Sequence, residues 1–139
     1  MRVEGTFRCM DETWRRQAHE KIRRMAVSIA EGMEGVCEVE IHQGYPVLIN
    51  DDALTAATKA HAVDYLGAEN VVDLDIWMAA EDFAYYSQAG PSCFYRLGVR
   101  NEERGITSGL HTATFDVDEL SLQTGPGLMS YLAVKTLGN

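Results

Sequence analysis

Apolar and polar residues alternate along the first nine positions of the chain. Val3, Gly5, Phe7 and Cys9 fall on one face, and polar or charged residues fall on the other. A period of two residues is typical of a half-buried β-strand. The same alternation returns at residues 37–41, so we predict a strand at each place.

A helical period separates these two predicted strands. Asp11 is placed to cap the N-terminus of a helix, and Gly32 with Gly35 is placed to end it. The apolar residues of this stretch recur at steps of three or four, at Trp14, Ala18, Ile22, Met25, Ile29 and Met33. This spacing is that of one apolar stripe along a helix, a face that needs cover. The first 42 residues therefore have a β-α-β pattern.

Gly44–Tyr45–Pro46 ends the second predicted strand. We place a domain boundary near residues 44 to 50, which divides the chain into residues 1–46 and 47–139. Asn50–Asp51–Asp52 then offers caps for a helix through about Leu66, which Gly67 stops.

Short predicted strands and helices alternate along the chain after Gly67. Short strands are predicted at 71–74 and 93–97, and a short helix at 81–88. Gly125–Pro126–Gly127 precedes a closing helix, in which Pro126 suits the first turn and would break anything longer. Strands that alternate with helices predict an α/β fold class.

Charge and composition narrow the function classes. Twelve basic against twenty-one acidic residues give a net charge of −9, which disfavours nucleic acid and anionic membranes as partners. The five basic residues within 15–24 are interpreted as a solvated helix face. Three widely spaced cysteines indicate reduced thiols, and no apolar run approaches the ~20 residues of a membrane span. We therefore expect a cytoplasmic protein.

His111 is the histidine best placed for chemistry. It ends a loop that contains Gly105 and Gly109, and such a loop can present an imidazole to a cleft. The other three histidines lack partners at ligand spacing and are interpreted as structural: His19, His42 and His61.

Four stretches in order carry a resemblance to a known family. They are Gly5–Thr6–Phe7–Arg8, Gly44–Tyr45–Pro46 through Asn50–Asp51, Met78–Ala79–Ala80–Glu81–Asp82–Phe83–Ala84, and Leu110–His111–Thr112 with Phe115–Asp116–Val117–Asp118–Glu119. The whole chain resembles the C-terminal part of the M20 family of dinuclear metal aminoacylases and peptidases. The likeness is greatest to its amidohydrolase branch of hippurate and N-acyl-amino-acid hydrolases.

The resemblance implies a partial lid or dimerisation domain at residues 1–46, of α+β type. Residues 47–139 would be the C-terminal part of an α/β, zinc-peptidase-like catalytic domain. His111 would bind one ion of a divalent metal pair, of zinc, manganese or cobalt. In the family, the other ligands and the general base come from stretches that precede the first strand of this chain. We therefore expect no catalytic residue here, no tight metal binding and no activity from this chain alone.

The resemblance also raises other residues as candidates. Glu81, Asp82 and Asp116 would lie beside the metal ligands, with Asp116 orienting His111. A role in capping helices or turns explains these carboxylates equally well. Arg8 and Asn50 are candidates for contact with the substrate or the lid, and Arg8 could equally be a surface charge.

Two function classes follow from these expectations. The first is the C-terminal portion of a hydrolase that cleaves the amide bond of N-acyl amino acids or small peptides. The alternative is a non-catalytic dimerisation module or a truncated remnant. In the family's lid the first strand lies between the third and the fourth, and only the last two are expected here. Unpaired strand edges promote pairing between chains, so we expect self-association as a homodimer or by strand exchange.

Overall fold

The computed structural model describes residues 1–138. The chain forms two compact units, Met1–Ile49 with Asp75–Gly90 and Asn50–Leu74 with Pro91–Asn139. The helices are α1 (Glu12–Gly32), α2 (Asp52–Leu66), a short 3₁₀ helix (Ala68–Asn70), α3 (Ala84–Ala89) and α4 (Ser121–Leu137). The assignment of residues 1–46 to a lid and 47–139 to a catalytic domain stays a prediction.

β-Strands are absent from the described part of the chain, residues 1–138, where the only pairing is an isolated antiparallel bridge between Asn101 and Ile106. The strands predicted at 2–9, 37–41, 71–74 and 93–97 are therefore wrong, and the α/β class is not confirmed. A strand requires a neighbour that pairs with its backbone donors and acceptors. Alternation specifies the two faces of a segment, but it does not supply that neighbour.

Helix α1 of the first unit confirms its prediction. The Asp11 carboxylate accepts a hydrogen bond of 2.6 Å from the backbone N–H of Trp14 and caps the helix. The helix ends at Gly32, and Glu34 adopts a left-handed φ of 57°. The N–H of Gly35 then donates to the carbonyl of Ala30 at 2.8 Å, which satisfies one of the last free carbonyls.

A pair of charged residues on α1 holds the segment that follows residue 44. Arg15 is buried, and it forms a 2.6 Å salt bridge with Glu12. Arg15 also donates to the carbonyl of Tyr45 at 2.9 Å, and Glu12 accepts from the N–H of Val47 at 2.8 Å. The segment is therefore fixed to the first turn of α1 by side chains instead of by a neighbouring strand.

Helices α2 and α4 form the core of the second unit. The Asp51 carboxylate caps α2 by accepting from the N–H of Leu54 at 2.8 Å, and Gly67 ends it with a φ of 88°. Both ends of α2 match the prediction. The buried centre consists of small and aliphatic side chains, with three partly buried residues around it: Ala62, Leu128 and Leu132, then Leu66, Val71 and Tyr95.

Helix α4 is longer than predicted, because it begins at Ser121 and contains Pro126. The prediction that Pro126 would limit the helix to residues beyond it is wrong. A proline inside a helix removes one N–H donor, yet α4 runs through Pro126 to Leu137 and packs against α2. A side chain at Gly127 would overlap the hydroxyl of Tyr65, so glycine permits this approach.

Helix α3 also differs from its prediction, because it begins at Ala84 instead of at residue 81. Ala84 is fully buried, and α3 belongs to the first unit. Within residues 1–138, no helix combines the length and the apolar character needed to cross a membrane.

Candidate functional site

His111 lies in a long loop between Val99 and Asp118 in the second unit. The loop begins with a tight turn, in which the backbones of Asn101 and Ile106 exchange hydrogen bonds of 3.0 and 2.8 Å. Gly105 closes this turn with a φ of 72°, a conformation that glycine adopts without strain. The turn therefore gives the first arm of the loop a defined shape.

The tip of the loop is held by short polar contacts. The hydroxyls of Ser108 and Thr114 are 2.8 Å apart, and the hydroxyl of Thr112 donates to the carbonyl of Gly109 at 2.8 Å. His111 lies between them with a left-handed φ of 63°, and its side chain is exposed. A non-glycine residue in this region costs about 1–3 kcal/mol and is common at functional sites.

Asp118 joins the two arms of the loop. Its carboxylate accepts a hydrogen bond of 2.7 Å from the side-chain amide of Asn101 and one of 3.0 Å from Arg104. Its backbone N–H donates to the carbonyl of Val99 at 2.9 Å. The side chain is only 14% exposed. The hydrogen bond from Asn101, that from the N–H of Leu120 and the Arg104 guanidinium lower the pKa of this carboxyl below its ordinary value of 3.8.

The sequence carries only weak local signals of this cluster. Asn101 and Arg104 lie in a charged stretch, Asn-Glu-Glu-Arg-Gly, whose final glycine is a turn signal. Asp118 is one residue of the final family motif. Nothing in the sequence indicates that Asn101 and Asp118, 17 positions apart, share a hydrogen bond.

Asp116 does not contact His111 by a hydrogen bond within residues 1–138. Its carboxylate accepts from the N–H of the next residue, Val117, at 2.8 Å. This geometry is that of a local turn. A role for Asp116 beside a metal stays a prediction.

Glu81 and Asp82 lie in the turn that leads into α3 of the first unit. The Glu81 carboxylate accepts from the N–H of Phe83 at 3.3 Å, and its carbonyl accepts from the N–H of Ala84. The carbonyl of Asp82 accepts from the N–H of Tyr85 at 3.0 Å. These bonds belong to the turn before α3, whose N-cap residue Phe83 makes no side-chain cap, so a role for Glu81 and Asp82 in capping or beside a metal stays a prediction.

Arg8 and Asn50 each bind backbone groups of their own unit. Arg8 donates a hydrogen bond to the carbonyl of Met78. The side-chain amide of Asn50 donates to the carbonyl of Phe94 at 3.0 Å and accepts from its N–H at 2.7 Å. Both side chains thus have structural partners, and their contact with a substrate or lid stays a prediction.

The donors in the described chain do not make up a metal-pair site. Residues 1–138 contain no group of three or more His, Cys, Asp and Glu side chains that could hold a metal ion. A pair of hydrolytic metals needs several such ligands around both ions. The rings of His19 and His61 pack edge-on against Phe7 and Tyr131, at 6.0 and 6.5 Å between centroids. His111 is an exposed imidazole on a loop of defined shape, whereas the other exposed histidine of the described residues, His42, pairs with Glu40 at 3.3 Å.

Comparison with known proteins assigns the family. Residues 4–133 match the peptidase family M20/M25/M40. The chain belongs to this family. The family assignment made from the four sequence stretches is thereby confirmed, and enzymes of the M20 family generally use divalent metals.

Relatives of this M20/M25/M40 chain include carboxypeptidases and IAA-amino acid hydrolases. Thermostable carboxypeptidase 2 of Saccharolobus solfataricus is 32% identical over 134 residues, which cover 96% of this chain and 33% of that protein. IAA-amino acid hydrolase ILR1-like 4 of Arabidopsis thaliana is 31% identical over 140 residues, 97% of this chain and 32% of that protein. ILR1-like 6 of the same plant is 37% identical over 95 residues, 68% of this chain and 20% of that protein.

The chain spans about a third of the length of the curated relatives with which it aligns almost throughout. No solved structure matches it. These relatives bear the names of a carboxypeptidase and of IAA-amino acid hydrolases.

Proposed function

We propose that this chain is the C-terminal portion of an M20-type, metal-dependent amidohydrolase. The intact enzyme hydrolyses the amide bond of N-acyl amino acids or small peptides. His111 supplies one ligand of a divalent metal pair, of zinc, manganese or cobalt. The remaining ligands and the general base come from outside residues 1–139. This chain alone is inactive and binds no metal tightly.

The exposed imidazole of His111 carries this proposal. It has a strained backbone, with φ 63°, at the tip of a loop whose two arms are tied at Asp118. That loop falls within residues 4–133, which match the peptidase family. A single imidazole cannot hold a hydrolytic metal pair, so the proposal assigns His111 a share of a larger site.

A chimera tests the proposal directly. The matching third of thermostable carboxypeptidase 2 is replaced by this chain, and hydrolysis of a short peptide and of N-acetyl-methionine is measured with added zinc, manganese or cobalt. We expect turnover from the chimera. Mutating a residue that only hydrogen-bonds to a metal ligand lowers metal affinity or activity by about 10–100-fold. Loss of a ligand itself should cost more, so we expect His111→Ala to lower kcat/KM by more than about 100-fold.

His42→Gln is the matched control, because His42 is an exposed histidine of the first unit whose ring lies 3.3 Å from the Glu40 carboxylate. It should leave turnover unchanged. An active chimera that keeps its rate after His111→Ala would refute the ligand role. Separately, the isolated chain should hydrolyse neither hippurate nor N-acetyl-methionine. Metal-dependent turnover that His111→Ala abolishes would refute the claim that the chain alone is inactive.

Self-association is the second candidate function, and the first unit favours it. Three apolar side chains of α1, Ile22, Met25 and Ile29, and that of its C-cap residue Met33 are 40 to 79% exposed. Segments 2–10 and 38–42 also flank a groove of about 1340 Å³ in the same unit, and they form no strand. As part of the proposal, a second copy of this chain covers these surfaces. Nucleic acid and membranes are not partners, given the net charge of −9.

Location in the cytoplasm is also part of the proposal. Cys9, Cys37 and Cys93 are free thiols. Unpaired cysteines fit a reducing compartment, where thiols stay reduced.

A further inference from the structure

We infer that Asp118 is the positioning residue for His111, holding the loop that presents the imidazole. The inference rests on the proposed function only in taking His111 as the functional group. Asp118 itself contacts neither substrate nor metal in this assignment.

Asp118 binds two separate parts of the second unit. Its backbone N–H is bonded to Val99 and its carboxylate to Asn101, both at the start of the loop. The same carboxylate accepts from the N–H of Leu120 at 3.3 Å, and its carbonyl accepts from the N–H of Ser121 at 2.9 Å. The loop is thus tied at its base to the first turn of α4, which belongs to the core.

Arg104 adds a contact from within the loop. It donates to Asp118 at 3.0 Å, and its own N–H donates to the side-chain oxygen of Asn101 at 3.1 Å. The Arg104 side chain is 52% exposed, so its ion pair is screened by solvent and contributes less than the amide contact of Asn101.

His111 depends on this base because its ring has no hydrogen-bond partner within residues 1–138. The backbone of the loop therefore sets the direction of the Cα–Cβ bond of His111, and no hydrogen bond of the described residues fixes the ring beyond it. A left-handed φ at a histidine persists when the surrounding structure holds it in place. The contacts at the tip, such as Ser108 with Thr114, join loop residues only to one another and not to the core.

Hydrogen exchange and the histidine ring spectrum test this inference on the full chain without metal. Asp118→Ala removes both carboxylate oxygens, and Asp118→Asn keeps one acceptor but loses the charge. We expect amide exchange of residues 105–117 to rise by at least about tenfold in the alanine variant, and by less in the asparagine variant. The ring resonances of His111 should likewise shift more in the alanine variant than in the asparagine variant.

The control is Glu119→Gln, which removes an exposed charge next to Asp118. The Glu119 side chain forms no hydrogen bond or ion pair within the described residues, so this variant should show the amide exchange and the His111 ring resonances of the wild type. Amides of α2 should exchange as in the wild type in every variant. If Asp118→Ala speeds exchange of α2 as much as that of the loop, or leaves the loop and the His111 ring unchanged, the positioning role is refuted. If that variant does not fold, the same criteria apply to Asp118→Asn and Arg104→Gln.

Because no metal is added, this outcome is independent of the proposed function. If the exchange test refutes the role of Asp118, the role of His111 as a metal ligand is still tested separately by the chimera. An inactive His111→Ala chimera would likewise say nothing about Asp118.

Discussion

The side chain of Asn50 pairs with the backbone of Phe94 as a neighbouring strand would. Its amide nitrogen donates to the carbonyl of Phe94 at 3.0 Å, and its oxygen accepts from the N–H of Phe94 at 2.7 Å. One residue further, the N–H of Asp51 donates to the carbonyl of Ser92 at 2.9 Å. The segment predicted as a strand at 93–97 is therefore held in part by a side chain.

Asn50→Ala should destabilise the chain. It removes the two hydrogen bonds that the Asn50 side chain makes with the partly buried backbone of Phe94, so we expect a loss of about 1–3 kcal/mol in the free energy of unfolding. Urea denaturation measures it. Gln123→Ala, at an exposed position of α4, is the control and should stay within about 0.5 kcal/mol of the wild type. Equal stabilities for the two variants would contradict the bracing role of Asn50.

Gly127→Ala should destabilise the packing of α4 on α2. The new Cβ would overlap the Tyr65 hydroxyl, and overpacking of this kind costs about 1–3 kcal/mol, opposed by the better helix propensity of alanine. Adding Tyr65→Phe removes the hydroxyl and should recover part of the loss in thermal denaturation. Gly98→Ala is the control, because its Cβ would meet no atom within 4 Å. A double variant no more stable than Gly127→Ala would show that the clash is not the cause.

Asp118 should make the stability of the chain depend on pH in the acid range. Hydrogen bonds from Asn101 and Leu120, and then Arg104, lower its pKa in the folded state below 3.8. The folded state therefore holds fewer protons than the unfolded state in this range. The stabilising contribution is complete well above pH 3.8, and it is lost as the pH falls through the lowered pKa.

Comparison with Asp118→Asn isolates this effect from the other carboxylates. Arg104 is the charged group that contacts Asp118, and the neighbouring Arg100 is paired with Glu102 at 3.1 Å. The stability of both proteins is measured by denaturation between about pH 2 and pH 6. The wild type should exceed the variant most near about pH 6, and the difference in the free energy of unfolding should shrink toward about pH 2. A difference that stays constant with pH would argue against a lowered pKa of Asp118 in the folded state.

The chain should self-associate at micromolar concentration in sedimentation velocity. Burial of each large apolar side chain is worth about 1.5–3 kcal/mol, and Ile29 is 61% exposed on α1. Ile29→Glu should therefore shift the chain toward monomer. Ser28→Glu adds the same charge at the neighbouring exposed position and should not. A monomeric wild type with a cooperative melt would contradict the proposed association.

Helices α1 and α2 were predictable from the sequence because their determinants are local. Asp11 and Asp51 each cap an N–H three residues away, and Gly67 supplies a left-handed conformation that other residues avoid. The family was predictable for another reason. Its motifs are short runs of adjacent residues, and Leu110–His111–Thr112 can be identified without knowing what surrounds it.

The absence of strands, the full length of α4 and the role of Asp118 were decided by tertiary structure. Each depends on a partner that is remote in sequence, as Tyr65 is from Gly127 and Asn101 from Asp118. Periodicity shows which face of a segment is apolar, but it does not show which backbone or side chain lies opposite. The sequence by itself therefore determined the capped helices and the family, while only the tertiary structure decided which distant groups hold His111 and its loop in place.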